Sequence, residues 1–339
     1  MTARAAGGGD GFLLRNTAIA TPLALAPMVG LSHSAMRSLV LELGGIGLLF
    51  TEMLSARGLP HDNARISPLL ARSAAERPLI YQIFLADEQP IDAAVARLES
   101  LDADGIDLNL GCPAPQLRRC GSGGFLAEDR QLVDRIVTRI RRATTLPISA
   151  KIRLGRTLDK PKLIGFSRML ADAGVDMLTV HGRLHGEKFC RPARWEWISH
   201  VKQAVSVPVL ANGGIFSVAD ARRCLEQSGA DGLMLGRGAC IRPWLAAEIA
   251  AAVYKRPVTG RTWGLDQIYF RFVELLGERF QPERQLGRLK QFSQYYARSF
   301  TFGHQLASLV QTSNTMAEAV VRARDFFSGT EECEHPVEL

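Results

Sequence analysis

No apolar run in the 339 residues approaches the ~18–20 that a membrane span requires, so no membrane partner is expected. The opening residues Met1–Gly11 are small and polar, with three consecutive glycines at Gly7–Gly9, and lack the apolar core of a secretory signal. Residues 1–19 are therefore read as a flexible lead, and the lack of a targeting segment sets the expectation of a cytoplasmic protein. Six cysteines are scattered without a C-x-x-C pair, which argues against a disulfide framework and against a zinc ribbon. Seven histidines show no close ligand spacing with carboxylates or cysteines, so no metal is expected. A Walker loop is missing, as is a G-x-G-x-x-G between a strand and a helix, which sets aside the common nucleotide-binding folds.

What is present is ample apolar material, 47% of the chain, with a modest basic excess of +7. That excess is compatible with an anionic partner such as RNA and is weak by itself. Short β-type runs recur at Leu23–Met28, Leu48–Met53, Leu79–Phe84, Gly105–Leu110, Ile148–Leu154, Met177–Gly182, Val209–Gly214 and Gly232–Arg237. Helical stretches separate them; Ala127–Ala143, for example, places Leu132, Ile136 and Ile140 at helical spacing. Eight strands alternating with helices predict an α/β fold, a closed (β/α)₈ barrel over about 20–255. Beyond Lys255 the strand runs stop. A link with Pro257, Gly260 and Gly264 leads to a small all-helical domain over 256–327, and an acidic tail, 328–339, is expected to fray. Within the helical part Leu286, Leu289, Phe292, Tyr296 and Phe300 share one helix face. Arg284, Arg288, Gln291, Tyr295 and Arg298 share the opposite one, read as a basic outer stripe. The chain is taken to be a monomer.

Polar or reactive residues sit at the C-terminal ends of the runs: Met28, Glu52, Gln82, Asn109, Lys151 with Arg153, His181, Asn212 and Arg237. A barrel gathers its active site at that rim, so eight segments would converge on one mouth. Cys112 follows the fourth strand in Asn109-Leu-Gly-Cys-Pro113, with Gly121-Ser-Gly-Gly124 close behind. A loop cysteine there can meet a ligand; equally, a free cysteine can be a small buried hydrophobe. Cys120 is read as incidental. Asn212-Gly213-Gly214 and Gly236-Arg237-Gly238 end strands seven and eight, where bare backbone N–H groups can cradle a phosphate. Lys151 in a barrel mouth is not packing material, since burying an unpaired charge is costly. Beside a flavin it could stabilise negative charge, and His181 could donate to flavin or substrate, or simply brace a loop. Gln82 could offer its amide to the flavin edge, or be a core glutamine satisfied by backbone.

In these motifs the sequence resembles the tRNA-dihydrouridine synthases. The matching segments are Ala26-Pro-Met28, Thr51-Glu-Met53, Gln82, Asn109-x-Gly-Cys-Pro113, Lys151-Ile-Arg153, Val180-His-Gly-Arg183, Asn212-Gly213 and Gly236-Arg-Gly-Ala239. The segment Arg288-Leu-Lys290-Gln291 with Tyr295 looks most like the bacterial C-type subfamily, associated with position 16 of the tRNA D-loop. The resemblance implies bound FMN, NADPH as reductant and tRNA as substrate, with hydride passing from flavin N5 to uracil C6 and Cys112 giving a proton to C5. It implies that Pro27, Met28 and Val29 cover a flavin face, and that Gln82, Lys151 and His181 hold the ring. Asn212, Gly213, Gly214, Gly236 and Arg237 would seat the ribityl phosphate. Asn109 and Arg153 would face the substrate, and Arg288, Lys290 and Tyr295 would contact RNA. Gly214 stands where the family commonly has an acidic residue, Arg118 near a usual asparagine, and Gln311 where C-type proteins tend to have arginine. Two rivals remain: an FMN-dependent dihydroorotate or dihydropyrimidine dehydrogenase, and a non-catalytic tRNA-binding protein on the same barrel.

Overall fold

The computed structural model describes residues 11–257 and 263–329. Residues 1–10 of the lead, Gly260 of the link, and the tail beyond 329 with its glutamates and Cys333 lie outside the described residues. Eight parallel strands close on themselves: β1 (Leu23–Leu25), β2 (Leu48–Phe50), β3 (Leu79–Phe84), β4 (Gly105–Leu110), β5 (Ile148–Arg153), β6 (Met177–His181), β7 (Val209–Asn212) and β8 (Gly232–Leu235). Leu49 pairs with Leu79, and Leu233 with Leu23, which completes the ring. The strands are buried on both faces, by helices outside and by their opposite neighbours within, so most are apolar runs; β4 and β5 instead carry Asp107, Asn109, Ser149, Lys151 and Arg153 towards the mouth. Strands β1, β2, β7 and β8 are shorter than their apolar runs. Pairing stops where the chain peels away to build the mouth loops.

Among the described residues, the longer outer helices are α1 (Ser34–Leu43), α2 (Ile91–Ser100), α3 (Arg130–Ala143), α4 (Lys160–Asp172), α5 (Trp195–Lys202), α6 (Val218–Ser228) and α7 (Leu245–Ala252), with short helical turns at Pro115–Arg119 and Arg237–Ile241. Asp129, Asp159 and Ser217 cap the starts of α3, α4 and α6 by accepting from backbone N–H groups. The barrel interior is filled by Ala24, Leu48, Phe50, Ile80, Met177, Leu210 and Met234. Phe12, Leu14 and Ile19 join this cluster, which corrects the flexible lead: Phe12–Leu14 and Thr17–Ile19 form an antiparallel hairpin. Its apolar side chains stopper the barrel floor, and Arg15 ties it to Asp176, just ahead of β6, at 2.8 Å.

Four helices follow: α8 (Leu265–Arg279), α9 (Gln285–Tyr296), α10 (Gly303–Gln311) and α11 (Met316–Ser328). They share an aromatic core in which Phe272 and Phe292 stack at 3.9 Å and Tyr296 packs on Tyr269, Phe292 and Phe300. Arg271 of α8 fixes this unit to Glu42 of α1 through two contacts of 2.8 Å. The apolar face of α9 is buried as its spacing requires, with Leu289, Phe292 and Tyr296 inside. The opposite stripe is outer surface only at its ends, where Arg284 and Arg298 are exposed; its middle is covered. Gln291 and Tyr295 line the barrel mouth, and Arg288 lies over the Phe280 ring at 4.2 Å. Lying along the rim, α9 has two occupied faces. No helix among the described residues is long and apolar enough to cross a membrane.

Candidate active site

The mouth loops enclose a cavity of about 340 Å³. Cys112, Asn109, Arg153 and Tyr295 line it together with Pro27, Met28, Val29, Gln82, Lys151, His181, Asn212, Gly213, Gly214, Gly236 and Arg237. The other two expected RNA contacts lie outside this cavity. Arg288 sits half-buried at the joint with the barrel, and Lys290 lies outside the cavity, its carbonyl accepting from Gln311 Nε2 at 2.8 Å. Gln311 thus braces α9 from within the helical unit.

Cys112 stands on the loop after β4, partly exposed, and the loop is shaped by Asn109. Asn109 Oδ1 accepts from the Cys112 N–H at 3.0 Å, while its Nδ2 donates to Gln82 Oε1 at 2.9 Å. Gln82 Nε2 donates in turn to Asp107 Oδ2 at 2.6 Å, and Ser149 Oγ to Asp107 Oδ1 at 2.5 Å. Three strands are thereby locked into one buried chain beneath the thiol. Gln82 is satisfied by side chains rather than backbone, and its second N–H and remaining lone pair are left for a ligand. Burial pushes the Asp107 carboxyl up to about 6, against the pull of Gln82, Ser149 and Lys151.

Lys151 Nζ donates to Asn212 Oδ1 at 3.0 Å, and Asn212 Nδ2 is itself anchored on Met234 O at 2.8 Å. Burial, then the Arg153 charge, bring the Lys151 ammonium down to about 8, with Asp107 pulling the other way. His181 is held well below its ordinary value by burial and by Lys151, Arg153, Arg183 and Arg237, so it is neutral at pH 7. Arg183 Nη1 lies 3.1 Å from His181 Nε2. A guanidinium can only donate, so Nε2 accepts and Nδ1 carries the proton. Arg183 also grips Arg191 O through Nε at 2.9 Å, fixing the loop after β6. That loop presents Phe189, 53% exposed, with Arg237 and Arg153 over its ring at 4.9 and 5.7 Å.

The glycine cradle adjoins this side. Gly213 and Gly214 adopt φ of +107° and +75°, and a Cβ on Gly213 would meet His181 Cδ2 at 2.6 Å. The backbone N–H groups of Gly213, Gly214 and Gly236 have no protein acceptor among the described residues, beside the Arg237 guanidinium. Asp107, Arg183, Phe189 and Gln291 were not singled out by the strand-end pattern. Asp107 could have been: it lies two residues before Asn109, on the same face of β4. Arg183 lies within the Val180-His-Gly-Arg183 motif, but nothing in the spacing gave it a partner.

A closed barrel with a thiol, a depressed lysine and an anion cradle at one mouth defines a (β/α)₈ enzyme site. The dihydrouridine synthase (Dus) family pattern matches residues 24–328. A tRNA-dihydrouridine(16) synthase of Aquipseudomonas alcaligenes is 35% identical over 287 residues, covering 82% of this chain and 91% of its own. Its counterpart in Pseudomonas putida is 36% identical, covering 82% and 88%. A tRNA-dihydrouridine synthase B of Pseudomonas syringae pv. tomato is 39% identical over 229 residues, 67% of each chain. Among solved structures, a 2-naphthoyl-CoA reductase superposes with a TM-score of 0.56 at 12% identity, covering 79% of this chain and 56% of that one; this shows a shared barrel. The chain belongs to the dihydrouridine synthase family, a class of flavin-dependent oxidoreductases that reduce uridine in tRNA.

Proposed function

We propose that the chain reduces the C5–C6 double bond of uridine 16 in the tRNA D-loop to dihydrouridine, with bound FMN, NADPH as reductant and Cys112 as proton donor. The convergence of Cys112, Lys151, His181 and the glycine cradle on one cavity carries this reading. The residues fit a flavin mononucleotide. Pro27, Met28 and Met234 offer an apolar bed, Gln82 retains a donor and an acceptor for the ring edge, and Gly213, Gly214, Gly236 and Arg237 match a phosphate. Reduced FMN, when bound, supplies the hydride that adds at C6.

The protein's own groups do the rest. Asn109 holds the Cys112 loop so that the thiol faces the cavity, where it protonates the enolate-like C5; a positioned acid of this kind contributes about 10²–10⁴-fold. Lys151, steered by Asn212, places positive charge against the flavin and uracil oxygens. Neutral His181 offers Nδ1–H as a donor without adding a second charge. Arg153 and Tyr295 border the entrance that a base extruded from the tRNA stack must cross. Lys290 is a further RNA contact, and so is Arg288 through what it leaves exposed, since its guanidinium packs over Phe280 and donates to Arg284 O.

Position 16 is supported by the reach of the likeness. The (16) synthases align over 287–288 residues, more than the barrel contains, so the similarity extends into the helical unit. The test is to map dihydrouridine in tRNA from a deletion strain carrying the wild-type gene or Cys112→Ala. Wild type should restore position 16 and Cys112→Ala should not, while still binding flavin and tRNA. Restoration at another position overturns the position; turnover of free uracil or orotate alone overturns the tRNA substrate.

A further inference from the structure

We propose a second anion site beside the active cavity, a small pocket that takes one phosphate group while the target base occupies the mouth. This rests on tRNA as the substrate. The pocket, about 40 Å³, lies between the loops that follow β4, β5 and β6. That is room for a few waters or one tetrahedral anion. Arg153 lines both this pocket and the active cavity, so the two adjoin.

Four cations border the pocket, Arg130, Arg153, Arg156 and Lys162, against two carboxylates, Glu128 and Asp159. Asp159 is committed to capping α4, accepting from the Lys162 N–H at 2.9 Å. Arg130 and Arg153 each donate to a backbone carbonyl, of Lys162 and Leu184, whereas the exposed Arg156 and Lys162 meet Glu128 only loosely: Arg156 Nε is 3.4 Å away, and Lys162 Nζ and His185 Nδ1 are each 3.7 Å away. Close charge-assisted pairs lie nearer 2.7–2.9 Å. Burial holds His185 below its ordinary value, so it adds no charge at pH 7. The adjoining helices, α3 and α4, open on Arg130 and Lys160 directly behind their aspartate caps, Asp129 and Asp159. The pocket lies across the mouth from α9, so a strand gripped at both places would span the cavity that receives the base.

The shared ligand chemistry is a phosphate, whether from the tRNA backbone or from the dinucleotide reductant. The experiment uses the flavin-loaded full chain with Arg156→Ala/Lys162→Ala, both side chains being more than half exposed. Dihydrouridine formation on unmodified tRNA and flavin reduction by NADPH are measured separately, each across a salt series. The expected result is a KM for tRNA raised about tenfold at unchanged kcat, a salt dependence of binding shallower by about one phosphate contact, and unaltered flavin reduction. Glu128→Gln should lower that KM, which loss of a merely structural ion pair would not do. A raised KM for NADPH with tRNA kinetics intact supports the same pocket with the dinucleotide as its source. Unchanged constants for both ligands overturn the site. Should wild type reduce its flavin with NADPH yet leave tRNA unmodified, the tRNA reading fails on its own, and the NADPH arm decides the pocket.

Discussion

Asp107 and Asn109 point into the barrel from the same face of β4, and the carboxylate beneath the cysteine loop is the most deeply buried acid of the site. Its ordinary value of 3.8 rises to about 6 on folding. A group raised in this way gives stability that is complete below pH 3.8 and lost as pH climbs through 6. That contribution is on the order of 3 kcal/mol across the window. Unfolding by urea from pH 3.5 to 8 should show this decline in wild type and its absence in Asp107→Asn; parallel curves would remove Asp107 as the cause. Lys151 runs the other way. Its buried cation weighs against the fold below pH 8, and that strain is relieved as pH rises from 8 towards 10.5. For an anionic ligand the consequence reverses: FMN affinity of the apoprotein, followed by flavin fluorescence, should fall above pH 8, and Lys151→Met should bind weakly with that pH step gone. Cys112, Lys151 and His181 were legible because reactive side chains at strand ends have few structural reasons to be there. Asp107 was hidden in mid-strand, and the roles of Arg183 and Phe189 depend on a loop whose path no periodicity encodes.

At the scale of elements, the barrel strands were readable because burial on both faces leaves most of them as apolar runs bounded by polar ends. The floor hairpin was not, since three-residue strands such as Phe12–Leu14 are too short to show alternation. The stripe on α9 revealed which face enters the aromatic core, yet a helical wheel cannot say what its other faces meet. There the chain places Gln291 against the loop after β1, where Nε2 donates to Val29 O at 3.3 Å and its amide lies over Gly30, at φ +74°. The two cradle glycines make a sharper case. Both have positive φ, but an added Cβ at Gly213 meets His181 at 2.6 Å, whereas at Gly214 the nearest atom is Trp195 Cζ2 at 3.5 Å. Gly214→Ala therefore carries only backbone strain, about 1 kcal/mol or slightly more. Gly213→Ala adds displacement of the imidazole and should cost about 1–3 kcal/mol further, with flavin content reduced. Melting curves and flavin-to-protein ratios of the two variants test this; equal effects would mean that His181 yields freely.

For the whole molecule, the question is whether barrel and helical unit are separable bodies. One continuous apolar cluster runs from barrel-side residues such as Leu39, Val40 and Ile249 to Phe272, Phe292, Tyr296 and Phe326. Trp244 carries this contact to Tyr296 at 6.2 Å, and the Arg271–Glu42 pair spans the same boundary. The helical unit also completes the cavity, since Gln291 and Tyr295 form its outer wall. Interfaces between independent domains are more polar and leave each core intact. Here, removing the helices would bare apolar surface on α1 and along the segment from Arg237–Ile241 to Trp244, at roughly 25 cal/mol for every Å² returned to water. A chain ending at residue 257 is therefore expected to be aggregation-prone and to hold flavin poorly. The full chain should melt in one transition, with far-ultraviolet circular dichroism and tryptophan fluorescence coinciding, because Trp195 and Trp197 lie in the barrel and Trp244 at the joint. A soluble, yellow 1–257 fragment, or two separated transitions, would show instead that the barrel is self-sufficient and that the helices are an appended RNA-binding module.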